Sequence, residues 1–331
     1  MNQADFLMDI QGVKKYFYPS RITYWRKPDP VRAVDRVSLK IVSGKTLGLV
    51  GESGCGKSTL AKMIMGIEVP TEGKVFFAGK DMGLLSRAEK KDFRHKVQMV
   101  FQDPYASLNP RQSAGKTIAE PLVLQKKHPP HVIREQVAWL MRQVGLTDDH
   151  AHRYPHEFSG GQRQRIGIAR AIALRPRLIV ADEPVSSLDV SIQAQILNLL
   201  KDLQEELRLT YLFISHNLAV IRYMSDYVAV MHLGRIVESG TREAIFNYPC
   251  HPYTKLLMAS VLDPYMTKVK SGDLKVKERE GIFHREVCRF YPRCSEADEV
   301  CRNEEEPELA QLTDDHSVAC HRVNIRTGEW K

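Results

Sequence analysis

The run "GESGCGKST", residues 51–59, constrains the chain more than any other stretch. It follows "KTLGLV", an apolar run with the character of a buried strand, and it opens "KSTLAKMIMGI", whose apolar residues recur at helical spacing. A strand that turns through glycines into a helix at G-x-x-x-x-G-K-[ST] is a phosphate-binding loop. The glycines let successive backbone N–H groups close around an anion, and the positive end of the helix points at it. Gly51, Ser53, Gly54, Cys55, Gly56, Lys57, Ser58 and Thr59 therefore form the candidate nucleotide cradle. Lys57 is expected to reach the β- and γ-phosphates, and the Ser58 hydroxyl to hold Mg²⁺. Cys55 fills a variable position of the loop and reads as a small side chain rather than a reactive thiol.

"RLIVADEP" supplies a partner site. Leu178 to Ala181 form an apolar strand, and Asp182 ends it. Beside a phosphate loop, an acid in that position can hold Mg²⁺ directly or through water, and Glu183 can polarise an attacking water. Elsewhere along the chain, strand patterns alternate with helical ones, which implies a mostly parallel sheet covered on both faces. The first fifty or so residues look antiparallel, and residues 105–174 read as an inserted helical subdomain. After "HPYTKLLMASVLDP" the chain turns polar. The expected organisation is one nucleotide-binding domain over 1–265, a linker over 266–283 and a small cysteine-bearing extension over 284–331.

Composition narrows the class. Hydrophobic residues make up 43% of the 331 and charged residues 27%, as in a soluble protein with a real core. "MNQADFLMDI" has no basic region leading into an apolar one, so it does not read as a secretory signal. The apolar runs fall well short of the about 18 residues a membrane-spanning helix needs. The net charge of +8 is read as spread over a solvated surface, because acidic residues are interspersed almost everywhere and only "RITYWRKPDPVR" is a basic, aromatic-rich cluster. Nucleic acid is not expected as a partner.

A third element widens the picture. "FSGGQRQRIGIARA" places Ser159, Gly160, Gly161 and Gln162 at a second glycine-rich helix start. Together with "VFQDP" (Gln102), "SSLD" (Asp189) and "FISH" (His216), in that family's order, the set resembles the ATP-binding cassette (ABC) ATPases over about residues 5–265. Phe158 stands where leucine is usual in the signature. The resemblance implies a P-loop NTPase of the ABC type: a RecA-like mixed or parallel sheet, an antiparallel β-subdomain and an inserted helical subdomain. It further implies a head-to-tail dimer of cassettes, with ATP between one chain's phosphate loop and the other's signature. Glu183, His216 and Gln102 would be the catalytic set. Ser58, Gln102 and Asp182 would hold Mg²⁺, and Ser159, Gly160, Gly161, Gln162 and Asp189 would serve the composite ATP sites. Phe17 aligns best with the aromatic residue that this family stacks on adenine, with Tyr16 and Tyr18 as neighbours.

"YASLNPRQSAG", "VSSLDVSIQAQILNLL" and "CHPYTKLLMASV" resemble the dipeptide and oligopeptide permease branch, and within it the second, F-type ATPase subunit. That implies a paralogous ATPase partner, two integral membrane permease subunits, an extracytoplasmic substrate-binding protein, and a peripheral position on the cytoplasmic membrane face. Importers of nickel chelates or oligosaccharides are the alternative within the branch. A soluble ABC protein acting on nucleic acid or ribosomes is the alternative outside it. Such proteins often have two cassettes per chain or a long coiled coil between phosphate loop and signature. This chain shows one cassette and only the stretch from Ser58 to Ser159 between those motifs, so that alternative is not favoured.

Four of the 6 cysteines cluster late, at Cys288, Cys294, Cys301 and Cys320, with spacings C-x5-C, C-x6-C and C-x18-C. In a reducing compartment disulfides are not expected. Four thiolates suit zinc or an iron–sulfur cluster, and the C-x2–4-C knuckles usual for zinc are missing. The chemistry alone leaves zinc, cluster and plain surface thiols open. The peptide-importer resemblance implies a [4Fe–4S] cluster on these four residues.

Overall fold

The structure, a computed structural model, describes residues 6–18, 30–103, 105–259 and 287–323. The expected linker at 266–283, and most of the basic cluster at 21–32, lie outside the described residues. In chain order the regular elements are strands β1 (Phe6–Phe17), β2 (Val31–Val42) and β3 (Thr46–Val50), helix α1 (Lys57–Ile64), β4 (Glu72–Phe77), β5 (Lys80–Asp81), α2 (Arg87–Lys96) and β6 (Val97–Val100). Helices α3 (Ala114–Gln125), α4 (Pro130–Gln143) and α5 (Gly160–Ile172) follow, and then β7 (Leu178–Asp182), α6 (Val190–Leu207), β8 (Thr210–Ser215) and α7 (Leu218–Met224). The chain continues through β9 (Tyr227–His232), β10 (Arg235–Thr241), α8 (Arg242–Asn247) and α9 (Pro252–Ala259). The tail adds α10 (Glu299–Asn303), β11 (Ala310–Thr313) and β12 (His316–Val318). The N-terminal strands form a four-stranded sheet in the order β2-β1-β4-β5.

The chain forms two compact units, one built on Met1–Met8, Ile41–Thr46 and Phe76–Ile214, the other on Asp9–Lys40, Leu47–Val75 and Ser215–Lys331. In the first, β6, β7 and β8 pair in parallel, from Val97↔Leu178 through Asp182↔Ile214. Leu178 to Ala181, and Tyr211 to Ile214, are fully buried. Such unbroken apolar runs are what a strand covered on both faces requires. Helix α6 buries Ile196, Leu197, Leu200 and Leu203 along one stripe, and the Tyr211 hydroxyl donates to the Leu200 carbonyl at 3.1 Å. The helices α3, α4 and α5 fall in the stretch read as helical from sequence.

The second unit carries strands in the order β11-β12-β10-β9-β3. β3 and β9 run parallel, with Leu47 opposite Tyr227, while β10 pairs antiparallel with β9 and with β12. The cysteine-bearing tail thus extends a sheet. A buried carboxylate fastens the junction: Glu238 on β10 is 0% exposed and accepts hydrogen bonds from the backbone N–H groups of Cys250 and His251, at 2.7 and 2.9 Å. It also bonds His316 Nε2 on β12 at 2.7 Å. Phe290, 3% exposed, anchors the tail from a second direction, with its ring 5.4 Å from His232, 5.7 Å from His251 and 5.5 Å from Tyr253.

Burial in this cluster holds both imidazoles neutral, pushing His232 down to about 4 and His251 to about 3. In the unfolded chain each would titrate at about 6.5. Between those values the unfolded state binds more protons, so stability is complete above about pH 6.5 and falls as the pH drops below it. From pH 6.5 to 5.5 the unfolding free energy read from urea titrations should fall, by up to about 1.4 kcal/mol per pH unit for each histidine. His251→Asn should flatten that slope. A midpoint independent of pH across this window in the unmodified chain would contradict the assignment.

Candidate nucleotide site

Strand β3 delivers the chain to Gly51, and the loop closes on itself before α1 begins. Lys57 is only 5% exposed, and its ammonium donates to the carbonyls of Gly51 and Glu52 at 2.7 and 2.8 Å. A buried cation needs such partners. Here they are loop carbonyls, which fix the loop's curvature around the amine. Gly56, the residue before α1, sits at φ 109°, and a Cβ there would lie 2.1 Å from the Ala33 carbonyl oxygen. Only glycine fits such a position. No side chain caps the N-terminus of α1, so its first N–H groups are left to an incoming acceptor. Ser53, Gly54 and Ser58 are exposed at this end, and Thr59 is half-buried. Burial pushes the Cys55 thiol up, the opposite of a reactive thiolate, which agrees with a small packing side chain. The donor set fits a nucleotide triphosphate with its magnesium.

In the same unit, exposed His216 follows β8, just before α7, whose cap Asn217 accepts from the backbone N–H of Ala219 at 2.9 Å. Of the three aromatic residues ending β1, Tyr16 is committed elsewhere: its hydroxyl donates to Asp35 at 2.7 Å, and burial together with that bond pushes it up to about 12. Phe17 and Tyr18 are the exposed pair, at 42% and 68%.

In the other unit, Asp182 closes β7, and Glu183 turns out of the strand at φ 47°, its N–H bonded to the Ile214 carbonyl at 2.9 Å. Gln102 Nε2 donates to Glu183 Oε2 at 3.2 Å, joining two candidate residues that lie 81 positions apart. Ser159 caps α5: its hydroxyl accepts from the Gln162 N–H at 3.3 Å, and the Gln162 side chain accepts from the Ser159 N–H at 3.0 Å. This is a capping box. Asp189 caps α6 by accepting from Ile192 N–H at 2.9 Å. The two helix starts lie close together, since a Cβ on Gly161 would come within 2.5 Å of the Ile192 side chain. Phe158 is buried, 3% exposed, with its ring edge-on to His150 at 5.5 Å.

Sequence reasoning missed a set of side chains around the loop. The Arg293 guanidinium makes a two-pronged ion pair with Glu52, both bonds 2.8 Å, and the Glu52 N–H donates to the Tyr253 hydroxyl at 2.9 Å. Arg293 lies inside "CRFYPRC", which drew notice only for its cysteines.

Comparisons with known proteins bear on the same residues. The family profile described as ABC transporter matches residues 34–186. A second, described as oligopeptide/dipeptide transporter, C-terminal region, matches residues 237–301. The chain is 47% identical over 324 residues to the dipeptide transport ATP-binding protein DppF of Haemophilus influenzae, covering 96% of this chain and 97% of that one. It is 46% identical over 325 residues to the oligopeptide transport ATP-binding protein AppF of Bacillus subtilis, covering 95% and 97%. Among solved structures, cbiO1 of Clostridium perfringens, part of the ABC transporter complex cbiONQ, superposes with a TM-score of 0.64 at 26% identity over 74% of this chain and 92% of that chain. An ATP-binding cassette solved as a dimer in a post-hydrolysis state with ADP and Pi gives 0.63 at 28% identity, over 71% and 98%.

The iron–sulfur expectation is overturned. The matching relatives are ATP-binding transport proteins and give no indication of a [4Fe–4S] cluster or of zinc. Burial pushes the thiols of Cys288 up to about 12, of Cys294 and Cys301 up to about 11, and of Cys320 upward as well. Among the described residues, no three of these four sulfurs lie within 4.8 Å of one another. The bulky residues between the first two cysteines do the structural work: Phe290 anchors the tail and Arg293 binds the loop.

Replacing Ser159 by alanine should remove the cap of α5 and cost about 1 kcal/mol of stability, while Ser159→Asp should keep the cap. Denaturant midpoints check this. Equal losses for the two variants would show that the capping bond contributes nothing.

Proposed function

The chain belongs to the ABC transporter family, in its oligopeptide/dipeptide transporter branch, and from that premise we propose that it is the ATP-hydrolysing subunit of an importer of dipeptides or oligopeptides. The observation that carries the reading is the Lys57 ammonium held on the loop carbonyls at the uncapped start of α1. In hydrolysis a water attacks the γ-phosphorus, and the bond to the ADP oxygen breaks. Lys57 and the loop N–H groups bind the departing and transferring phosphates. Glu183, bonded to Gln102, orients the water and takes its proton, and His216 contacts the γ-phosphate. Ser58, Gln102 and Asp182 are the residues that would hold Mg²⁺, which would supply positive charge against the triphosphate. Phe17, which aligns best with the family's adenine-stacking aromatic residue, is the residue for the adenine ring; it is exposed, whereas the Tyr16 hydroxyl is engaged with Asp35.

Ser159, Gly160, Gly161 and Gln162 serve the ATP of a paralogous ATPase chain, so the working unit pairs two different cassettes head to tail. Gln162 contributes through the capping box, and Asp189 through the cap of α6 that packs against it. Among the described residues no helix is long and apolar enough to cross a membrane. As part of the same proposal, two membrane permease subunits supply the translocation path, the chain sits at their cytoplasmic face, and the substrate reaches them through an extracytoplasmic binding protein.

Glu183→Gln should leave MgATP affinity within a fewfold of the wild type and lower turnover by about 10²–10⁴, the contribution of a positioned base. Steady-state phosphate release and equilibrium nucleotide binding, on the chain assembled with its cassette partner, test it. Turnover near the wild-type rate would remove Glu183 from the role.

A further inference from the structure

The tail segment around residues 288–294 is tied to the phosphate loop by more than packing. Arg293 meets the Glu52 carboxylate with both prongs of its guanidinium, at 2.8 Å each, and lies 5.9 Å from the Phe290 ring. Phe290 in turn packs on Tyr253, whose hydroxyl accepts the Glu52 N–H. Arg289 bonds the Leu233 carbonyl and the Asp35 carboxylate. Glu52 is the second residue of the loop, and its own carbonyl is one of the two that hold Lys57. Its carboxylate, fixed in the same loop, would repel a triphosphate and offset the lysine. The paired arginine cancels that charge.

We propose that Arg293 is a positioning residue for nucleotide binding: it neutralises Glu52 and so leaves the phosphate loop with the net positive charge of Lys57. The tail thereby sets the nucleotide affinity of the cassette. This rests on the reading that residues 51–59 hold the triphosphate. The lowered proton affinity of Glu52, caused first by its bond to Arg293, agrees with a carboxylate that stays ionised beside the loop. Two charges at such range interact strongly even with part of the screening of water, and 35% of the Arg293 and 41% of the Glu52 side chain is open to solvent, so the expected effect is moderate.

The experiment titrates the full-length chain with the magnesium complex of a non-hydrolysable ATP analogue. Arg293→Ala should weaken binding about five- to tenfold at low ionic strength, and the loss should shrink in high salt as screening takes over. Adding Glu52→Gln to that variant should restore affinity to within about twofold of the wild type, because the charge that Arg293 masked is then gone. Arg293→Lys, which keeps the charge and loses the fork, should hold most of the affinity and serves if the alanine variant does not fold. A merely structural role predicts a different pattern: a lower thermal midpoint, no salt dependence of the affinity loss, and no rescue by Glu52→Gln. Wild-type affinity in Arg293→Ala, or a double variant as weak as Arg293→Ala, would overturn the proposal. Lys57→Ala, run in parallel, separates the two readings. If it loses binding while Arg293→Ala does not, only the tail's role fails; if it binds normally, the phosphate-loop reading fails first.

Discussion

The cation of Lys57, buried on the carbonyls of its own loop, is the contact on which the rest of the nucleotide site depends. An ammonium taken out of water must be met by acceptors, and the Gly51 and Glu52 carbonyls meet it only if the chain curls tightly from β3 into α1. That curl requires glycine at Gly56, where the Ala33 backbone comes too close for any Cβ. The first turn of α1 has no side-chain cap, so its N–H groups are left for an incoming acceptor. The phosphate site is therefore a consequence of one buried charge and the backbone geometry that accommodates it.

The tail surrounds that loop with a second layer of interactions. Tyr253 takes the Glu52 N–H, Arg293 takes its carboxylate, and Phe290 packs on Tyr253, His232 and His251. Asp35 receives Tyr16, Arg235 and Arg289, while Glu306 closes the group between the two arginines. Glu238 and His316 fasten the edge strand to β10. What looks in sequence like an appendage after a polar stretch is, in the fold, part of the wall that braces the loop.

The parts of this arrangement that were legible in the sequence are the ones encoded locally. The phosphate loop, the apolar strand ending at Asp182, and the glycine-rich start of α5 each state their chemistry within a few consecutive residues. The family match and the superposed cassettes bear out the fold class they implied. The Glu52–Arg293 pair joins residues 241 positions apart, so no window of sequence reveals it. The spacing of the four late cysteines does not by itself assign a metal, and the relatives give no indication of one. The resemblance implies a nucleotide role for Gln162 and Asp189, and the structure shows each in a helix cap, a role that S-x-x-Q and a helix-opening Asp do encode.

Amide hydrogen exchange of the full-length chain, with and without MgATP, tests the phosphate-loop assignment most directly. The account predicts that nucleotide slows exchange most at residues 54–59, where the loop N–H groups and the first turn of α1 would donate to the phosphates. Protection centred elsewhere, with the exchange of those amides unchanged at saturating nucleotide, would contradict it.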